Sequence, residues 1–240
     1  MKFETYVLKY KDLKLIQDNN HFAFTIDSIL LARFIDIKSK VKNICDFGTN
    51  NAIIPLIISR YTRAQITGVD INKNAIEMAK KSIELNNLQN KITLFNEDIK
   101  TFVKTKNNFF DIVYVNPPFF KVEPGTKFKK ISQEVIDARH ETQITLEEII
   151  ESAALCLGHR GKIVMIHVAH RFDEIIYLLR KHHYAVKKIR FVYSKKNSEA
   201  KKILIEAENR GNEGLTILPP LYVHDDNEEF SAEVQKMFED

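Results

Sequence analysis

Residues 185–208 read AVKKIRFVYSKKNSEAKKILIEAE, and this stretch decides the fold class. It contains two strand-like runs, 185–194 and 201–208, which are rich in apolar and β-branched residues. The polar loop between them is too short for the crossover helix that parallel neighbours require. The two runs are therefore predicted to form an antiparallel hairpin.

The chain before this hairpin alternates apolar strands with amphipathic helices, as is typical of a parallel sheet covered on both faces. The predicted fold class is therefore α/β, with a seven-stranded, mostly parallel sheet that ends in a C-terminal antiparallel hairpin. This arrangement is similar to the class I methyltransferase Rossmann-like fold, whereas a nicotinamide-binding Rossmann domain continues with a parallel sixth strand. The first five predicted strands are 41–47, 65–71, 91–98, 109–116 and 161–168, and the predicted helices are 52–61, 72–87, 146–157 and 171–183.

One domain is predicted for the whole chain. Its Rossmann-like core spans residues 41–208. Residues 1–40 are predicted to form an N-terminal helical extension with a helix at DSILLARFI (27–35), and residues 209–240 form a C-terminal tail. The connection 119–142 is long, and long connections in compact domains are usually functional or disordered.

Composition and charge restrict the class of protein. The 240 residues carry a net charge of +4, which permits a nucleic-acid partner without requiring one. Charges interrupt the apolar runs at the N-terminus, and no apolar stretch approaches the roughly 18 residues of a membrane span. Cys45 and Cys156 lack metal-ligand spacing and are predicted to be buried free thiols, so no metal site is expected. We expect a cytoplasmic monomer.

Carboxylates lie at the ends of three successive predicted strands, which is where open α/β sheets bind their ligands. They are Asp46, Asp70 and Asp98. For a nucleoside ligand such as S-adenosylmethionine, we expect Asp70 to accept hydrogen bonds from both ribose hydroxyls and Asp98 to accept one from the adenine amino group. Asp46 is expected to help hold the cationic amino group of the methionine part. The alternative for each residue is a helix cap or a turn.

The loop after the first strand completes the predicted cofactor site. Gly48 allows the backbone to approach the ligand closely, and Ile71 and Ile99 are expected to flank the adenine ring. Asn50 and Ala52 stand where two glycines of the methyltransferase pattern D-x-G-x-G-x-G are expected. Asn50 is assigned to the cofactor site because asparagine tolerates a left-handed φ. The methyl group of Ala52 is expected to narrow the pocket. Weaker cofactor binding is an alternative that the loss of both glycines, at positions 50 and 52, leaves open.

The fourth predicted strand ends in NPPF, residues 116–119. An exocyclic amino group is a poor nucleophile because its lone pair is delocalised into the ring. The Asn116 side-chain oxygen, which also borders the cofactor site, and the Pro117 carbonyl can accept both N–H hydrogens and favour a tetrahedral nitrogen. Pro117 and Pro118 fix φ and hold these acceptors, and Phe119 offers a stacking face. The alternative is a strand that stops at proline beside a buried phenylalanine.

The chain resembles the tRNA (adenine-N6)-methyltransferases that modify the adenosine beside the anticodon of a valine tRNA. The stretches that carry this resemblance are FTIDSILLA (24–32), DFGTNNAIIPL (46–56), NPPF (116–119) and ARHE (138–141). DSILLA and ARHE are more typical of this family than the other two. The resemblance covers nearly the whole chain. It implies S-adenosyl-L-methionine as cofactor, tRNA as partner and adenine N6 as target, with cofactor residues Asp46, Gly48, Asp70 and Asp98 and catalytic residues Asn116, Pro117, Pro118 and Phe119.

Two loops are rich in lysine. If the sixth strand is parallel to the fourth, both loops lie at the sheet edge that carries Asn116, where lysines can bind phosphates. Aromatic side chains beside them are expected to contact extruded bases. The alternative is a solvated lysine-rich surface. The lysines are Lys121, Lys127, Lys129 and Lys130 in one loop and Lys195, Lys196, Lys201 and Lys202 in the other, the aromatic residues are Phe119, Phe120 and Phe128, and Arg139 is also expected to contact substrate.

Other functions are compatible with the sequence. The same strand end would serve a methyltransferase that acts on an rRNA guanine N2 or on a glutamine N5 of a protein. The departures at Asn50 and Ala52 suggest a non-catalytic RNA-binding descendant as a further alternative. A nicotinamide oxidoreductase is suggested only by Asp70, and the missing G-x-G-x-x-G and the terminal hairpin argue against it.

Overall fold

The order of strands and helices in the core follows the predicted order. A computed structural model describes residues 4–7, 13–17, 25–122 and 133–239. Its strands are β1 (Glu4–Val7), β2 (Lys14–Gln17), β3 (Asn43–Phe47), β4 (Gln65–Asp70), β5 (Ile92–Asn96), β6 (Phe110–Val115), β7 (Leu157–Val168), β8 (Tyr184–Tyr193), β9 (Ala200–Asn209), β10 (Thr216–Ile217) and β11 (Leu221–Tyr222). Its helices are α1 (Ile26–Ala32), α2 (Ile53–Ile58), α3 (Lys73–Leu85), α4 (Ile99–Phe102), α5 (Gln133–Arg139), α6 (Leu146–Cys156), α7 (Phe172–Lys181) and α8 (Ala232–Phe238).

The main sheet contains the strands β5-β4-β3-β6-β7-β9-β8 in that spatial order. The strands from β5 to β7 are parallel, and β9 lies between β7 and β8 and is antiparallel to both. These pairings confirm the α/β fold class, the seven predicted strands and the terminal hairpin. The short strands β10 and β11 of the tail pair with β8 and extend the sheet at that edge.

Apolar side chains fill both faces of the sheet, as expected for parallel strands that are covered on both sides. On one face, α1, α2 and α3 pack against side chains that include Ile44 and Tyr114. On the other face, α6 and α7 pack against side chains that include Phe47. Cys45 and Cys156 belong to this second core and are confirmed as buried free thiols.

The N-terminal extension contains strands as well as a helix. β1 and β2 form an antiparallel pair, and α1 is shorter than the predicted helix 27–35. Side chains of α3 hold β2 in place. Ser82 Oγ accepts the Ile16 N–H (2.9 Å), while Asn86 accepts the Lys14 N–H (2.9 Å) and donates to the Lys14 carbonyl (2.6 Å). The side chains that hold β2 from α3 lie far along the chain, so no local pattern predicts these contacts.

The C-terminal tail binds to β8 and packs against α1. Arg190 of β8 forms a bidentate ion pair with Glu233 (2.7 and 2.8 Å) and donates a hydrogen bond to the Pro219 carbonyl (3.0 Å). Val234 of α8 is fully buried in the core that also contains α1. The tail is therefore part of the folded domain.

Some element ends differ from the predictions. α2 ends at Ile58 rather than at residue 61, and β7 begins at Leu157 rather than at residue 161. Asn72 is confirmed as the N-cap of α3, because its side chain accepts the N–H groups of Asn74 (2.9 Å) and Ala75 (3.2 Å). Within the described ranges, no helix has both the length and the apolar character needed to cross a bilayer.

Glu206 fixes β9 between its two neighbours. Its buried carboxylate pairs with Lys162 of β7 (2.5 Å) and with Lys188 of β8 (3.6 Å). We expect Glu206→Gln to lower the free energy of unfolding by about 1–2 kcal/mol, because both lysines lose their ionic partner but can still reach water. Urea denaturation followed by circular dichroism measures this change. Glu199→Gln removes the same charge from the exposed hairpin turn, and an equal effect of both substitutions would contradict the role of Glu206.

Candidate active site

The loop between β3 and α2 places every second residue in the left-handed region. Gly48, Asn50 and Ala52 have φ angles of +68°, +48° and +64°. These are the three positions that carry glycine in the D-x-G-x-G-x-G pattern. A left-handed φ costs a non-glycine residue about 1–3 kcal/mol and persists only where the surroundings impose it. The loop therefore has left-handed backbone at both positions that lack the expected glycine.

Ala52 does not narrow the cleft beside this loop. It is fully buried in the core, and its side chain is not part of the cleft wall. The predicted narrowing of the pocket by its methyl group is therefore wrong. Asn50, in contrast, lines the cleft.

The carboxyl end of β4 holds the loop in this conformation. The Val69 carbonyl accepts the N–H groups of Gly48 (2.9 Å) and Thr49 (3.0 Å). Asp70 Oδ2 accepts the next N–H, that of Asn50 (2.8 Å). Three consecutive N–H groups of the loop are thus bound by two adjacent residues of one strand.

One cleft brings together most of the predicted cofactor residues at the carboxyl ends of β3, β4, β5 and β6. The predicted residues that line it are Gly48, Asn50, Asp70, Ile71, Asp98, Ile99, Asn116 and Pro118. Asp46, Pro117 and Phe119 lie outside its lining. Ile71 is 53% exposed and gives the cleft an apolar wall.

Further residues, not identified from the sequence, complete the cleft walls. Ser28 of α1 lines the cleft, and so do Asp137 and Ala138 of α5 and Gln143 and Ile144 after it. Ser28 belongs to DSILLA and Ala138 to ARHE, so the stretches typical of the resembled family were the signal for them. The remaining lining residues are Thr49, Asn51, Ile53, Ile54, Asn72 and Ala75.

Asp70 and Asp98 both bind backbone N–H groups at the cleft. Asp70 Oδ1 accepts the Asn72 N–H (2.8 Å) in addition to the Asn50 contact at Oδ2, so each oxygen retains a lone pair for a further donor. Burial raises the pKa of Asp70, and these two N–H donors counter the rise. Asp98 Oδ1 accepts the Lys100 N–H (2.8 Å) and caps α4.

Asp46 is a fully buried carboxyl group beside this loop. Neither of its oxygens has a hydrogen-bond partner among the described residues, and the Thr49 hydroxyl nearby is outside hydrogen-bond geometry. Burial raises the pKa of Asp46 to about 8. The Thr49 hydroxyl offsets part of this rise and the Asp70 carboxylate adds to it. The Asp46 carboxyl is therefore largely protonated at neutral pH in the protein alone.

Arg171, a residue not identified from the sequence, fixes the NPPF turn after β6. Its buried guanidinium donates to the Phe119 carbonyl (3.0 Å), forms an ion pair with Glu141 and donates two hydrogen bonds to Glu174 (3.0 Å each). The Phe120 carbonyl accepts the Glu141 N–H (2.8 Å). The ARHE stretch is thus bonded through its backbone to Phe120, the residue after NPPF, and is linked to Phe119 through Arg171.

The predicted RNA-binding residues lie partly at the same sheet edge. β8 runs in the same direction as β6, so the turn after it emerges at the edge that carries Asn116 and exposes Lys195 and Lys196. Phe120 is 45% exposed, and Arg139 is also exposed. The predicted residues Lys127, Phe128, Lys129 and Lys130 lie outside the described residues.

The sequence predicts that Lys202 binds phosphate, but its ammonium contacts other side chains of the protein. Its ammonium lies 3.6 Å from the centroid of the Phe119 ring and 2.8 Å from Asp27 Oδ2. Its charge is therefore paired inside the protein. No cluster of three or more His, Cys, Asp or Glu side chains suited to a metal ion occurs in the described ranges.

A sequence comparison with known protein families agrees with the loop after β3, the strand order and the cleft. The family model of the methyltransferase small domain matches residues 17–196. The chain belongs to this family. A curated relative of this chain is the tRNA1(Val) (adenine(37)-N6)-methyltransferase of Haemophilus influenzae, which is 31% identical over 65% of this chain and 66% of its own length. The protein of the same name from Phocaeicola vulgatus is 27% identical over 82% of this chain and 81% of its own.

Solved structures show the same fold at low sequence identity. A predicted O-methyltransferase from Agrobacterium tumefaciens has a TM-score of 0.70 at 18% identity. The alignment covers 88% of this chain and 95% of the Agrobacterium chain. TYW2 of P. horikoshii, solved in complex with MeSAdo, has a TM-score of 0.62 at 12% identity and covers 87% of this chain and 72% of its own. These similarities establish the methyltransferase fold.

Asp46 is expected to make the stability of the protein pH-dependent. Its pKa is raised from the ordinary value of 3.8 to about 8, so between these values the folded state binds more protons than the unfolded state. The protonated Asp46 carboxyl makes its full contribution to stability below the pKa that it has in the unfolded state. This contribution is lost as the pH rises through the pKa that it has in the folded state. We expect Asp46→Asn to gain stability relative to the wild type between about pH 5 and pH 8, by up to about 1.4 kcal/mol per pH unit.

Urea denaturation at about pH 5 and at about pH 8 measures the stability difference between Asp46→Asn and the wild type. Asp36→Asn is the matched control, because it makes the same substitution at an exposed position. A stability difference for Asp46→Asn that stays constant with pH would contradict the burial effect.

Proposed function

We propose that the protein transfers a methyl group from S-adenosyl-L-methionine to the exocyclic N6 of an adenine beside the anticodon of a tRNA. The observation that carries the proposal is the position of Asn116, the first residue of NPPF, on the rim of a cleft at the carboxyl ends of the sheet. The names of the relatives supply the tRNA and the adenine. A tRNA substrate would place the protein in the cytoplasm.

The cleft residues fit the proposed cofactor. A Cβ built at Gly48 meets no atom within 4 Å, so the backbone there leaves open space for a ligand. Asp70 has one lone pair per oxygen left for the ribose hydroxyls, and exposed Ile71 offers an apolar surface to the adenine. Asp46 has two unpartnered oxygens in the described structure, and a nearby ligand ammonium would favour its ionised form.

The residues of the chain prepare the amino group for attack. S-adenosyl-L-methionine supplies an electrophilic methyl group when it is bound. Asn116 Oδ1 and the Pro117 carbonyl accept the two N–H hydrogens of the amino group, and this favours a tetrahedral nitrogen whose lone pair is free. The methylated nitrogen is cationic and acidic, and it then loses a proton. No strong general base is required for this sequence.

The conformation of the cofactor loop argues against a non-catalytic descendant. That alternative rested on the missing glycines at positions 50 and 52, and both residues have the left-handed φ angle that glycine would supply. An rRNA guanine or a protein glutamine would present a similar amino group to Asn116. The exposed Lys195 and Lys196 favour an RNA substrate over a protein, and the names of the relatives favour tRNA over rRNA.

Asn116→Ala is expected to lower the methyl-transfer rate by about 100-fold or more, because one acceptor of the amino group is lost in the transition state. We expect the affinity for S-adenosyl-L-methionine to stay within about threefold, since Asn116 is one of many lining residues. Single-turnover transfer to total tRNA measures the rate, and isothermal titration measures the affinity.

Asn107→Ala is the matched control for this substitution, because Asn107 is exposed at the opposite end of β6. Equal losses of rate and affinity in Asn116→Ala would contradict the proposed role of Asn116. Mass spectrometry of nucleosides from the treated tRNA identifies the product. A wild-type protein that gives no labelled N6-methyladenosine from tRNA would overturn the proposed substrate.

A further inference from the structure

The ring of Phe119 is in contact with a partly buried cation. The Lys202 ammonium lies 3.6 Å from the ring centroid, which is the geometry of a cation–π contact. The Lys202 side chain is 22% exposed, so water screens this contact only in part. One face of the Phe119 ring is therefore already covered in the protein alone.

Asp27 fixes the ammonium in this position. Asp27 Oδ2 accepts a hydrogen bond from Lys202 Nζ at 2.8 Å, across 175 residues of sequence. Asp27 is in the first turn of α1, and Lys202 is near the start of β9, where it pairs with Val168 of β7. A lysine side chain has many rotamers in solution, and a buried carboxylate at this distance selects one of them.

Two further residues contact the ring and the backbone of Phe119. The His167 ring meets the Phe119 ring at a centroid distance of 5.2 Å and an angle of 63°, an edge-on arrangement. His167 Nδ1 accepts the Val168 N–H (2.9 Å), which fixes the imidazole. Arg171 binds the Phe119 carbonyl. The ring thus has a cation on one face and an imidazole beside it, and its backbone is fixed by Arg171.

We propose that Lys202, anchored by Asp27, is a positioning residue that holds the Phe119 ring so that the target base stacks on the opposite face. This inference rests on the proposed function, in which Phe119 stacks on the base. A ring that is already oriented loses little freedom when the base arrives, and the amino group is then brought to Asn116 in one orientation. DSILLA contributes Asp27 to this arrangement, and ARHE contributes Glu141, the partner of Arg171.

The test compares variants at position 202 in methyl transfer to tRNA. Lys202→Met keeps most of the stem and removes the charge, and we expect its kcat to fall about 10- to 100-fold, the cost of a small misplacement of a reacting group. Lys202→Arg keeps a cation over the ring and is expected to retain kcat within about threefold. Asp27→Asn is expected to lower kcat less than Lys202→Met. The dissociation constant of S-adenosyl-L-methionine, measured by titration, should change by less than about twofold in all three.

Lys104→Met is the matched control for loss of a lysine charge. Lys104 is exposed before β6, at the end of that strand opposite Asn116, so its substitution is expected to leave both kcat and KM for tRNA within about twofold of the wild type. A kcat of Lys202→Met within about twofold of the wild type would overturn the proposal. A rise in kcat/KM would also overturn it, because Lys202 would then block the ring.

A second readout does not depend on the substrate. The ¹⁹F resonance of 4-fluorophenylalanine placed at position 119 reports the surroundings of the ring. We expect it to shift in Lys202→Met and to return toward its original position in Lys202→Arg. An unchanged resonance in Lys202→Met would overturn the positioning role. If the wild type does not methylate tRNA, the proposed function fails, and the fluorine resonance still decides whether Lys202 holds the ring.

Discussion

The carboxyl end of β4 controls the loop on which the cleft depends. Val69 and Asp70 accept the N–H groups of Gly48, Thr49 and Asn50, and these bonds hold the left-handed turn after β3. Gly68 permits the close approach, since a Cβ there would lie 2.7 Å from Thr49 Oγ1. The last residue of the same strand, Asp70, and the next residue, Ile71, line the cleft. Because β6 is parallel to β3, Asn116 meets the cleft from the other side.

Much of the fold could be predicted from the sequence because each signal is local. Strands that are buried on both faces appear as apolar runs, and the short polar loop at residues 195–200 excludes a parallel connection. The cleft was predictable for a related reason. Parallel strands bring their carboxyl ends to one edge, so Asp70, Asp98 and Asn116 are predicted to meet once the strand order is known.

The remaining features depend on contacts between distant residues. Nothing local marks Lys202 as a partner of Asp27 or Arg171 as a partner of the Phe119 carbonyl, and a lysine in a lysine-rich loop suggests a phosphate instead. β2 is likewise held by side chains of α3. The left-handed φ of Ala52 is contrary to the preference of alanine and is imposed by its surroundings.

The residues that hold Phe119 lie only partly within the stretch that the family model matches. The family match ends at residue 196, before Lys202 and before α8, which packs against the helix that carries Asp27. The cleft residues, in contrast, all lie within the match. On the positioning proposal, a change at Lys202 or Asp27 alters how the target base is held without altering any residue that lines the cleft except through the neighbouring Ser28. The cleft and the grip on the base can therefore be changed separately.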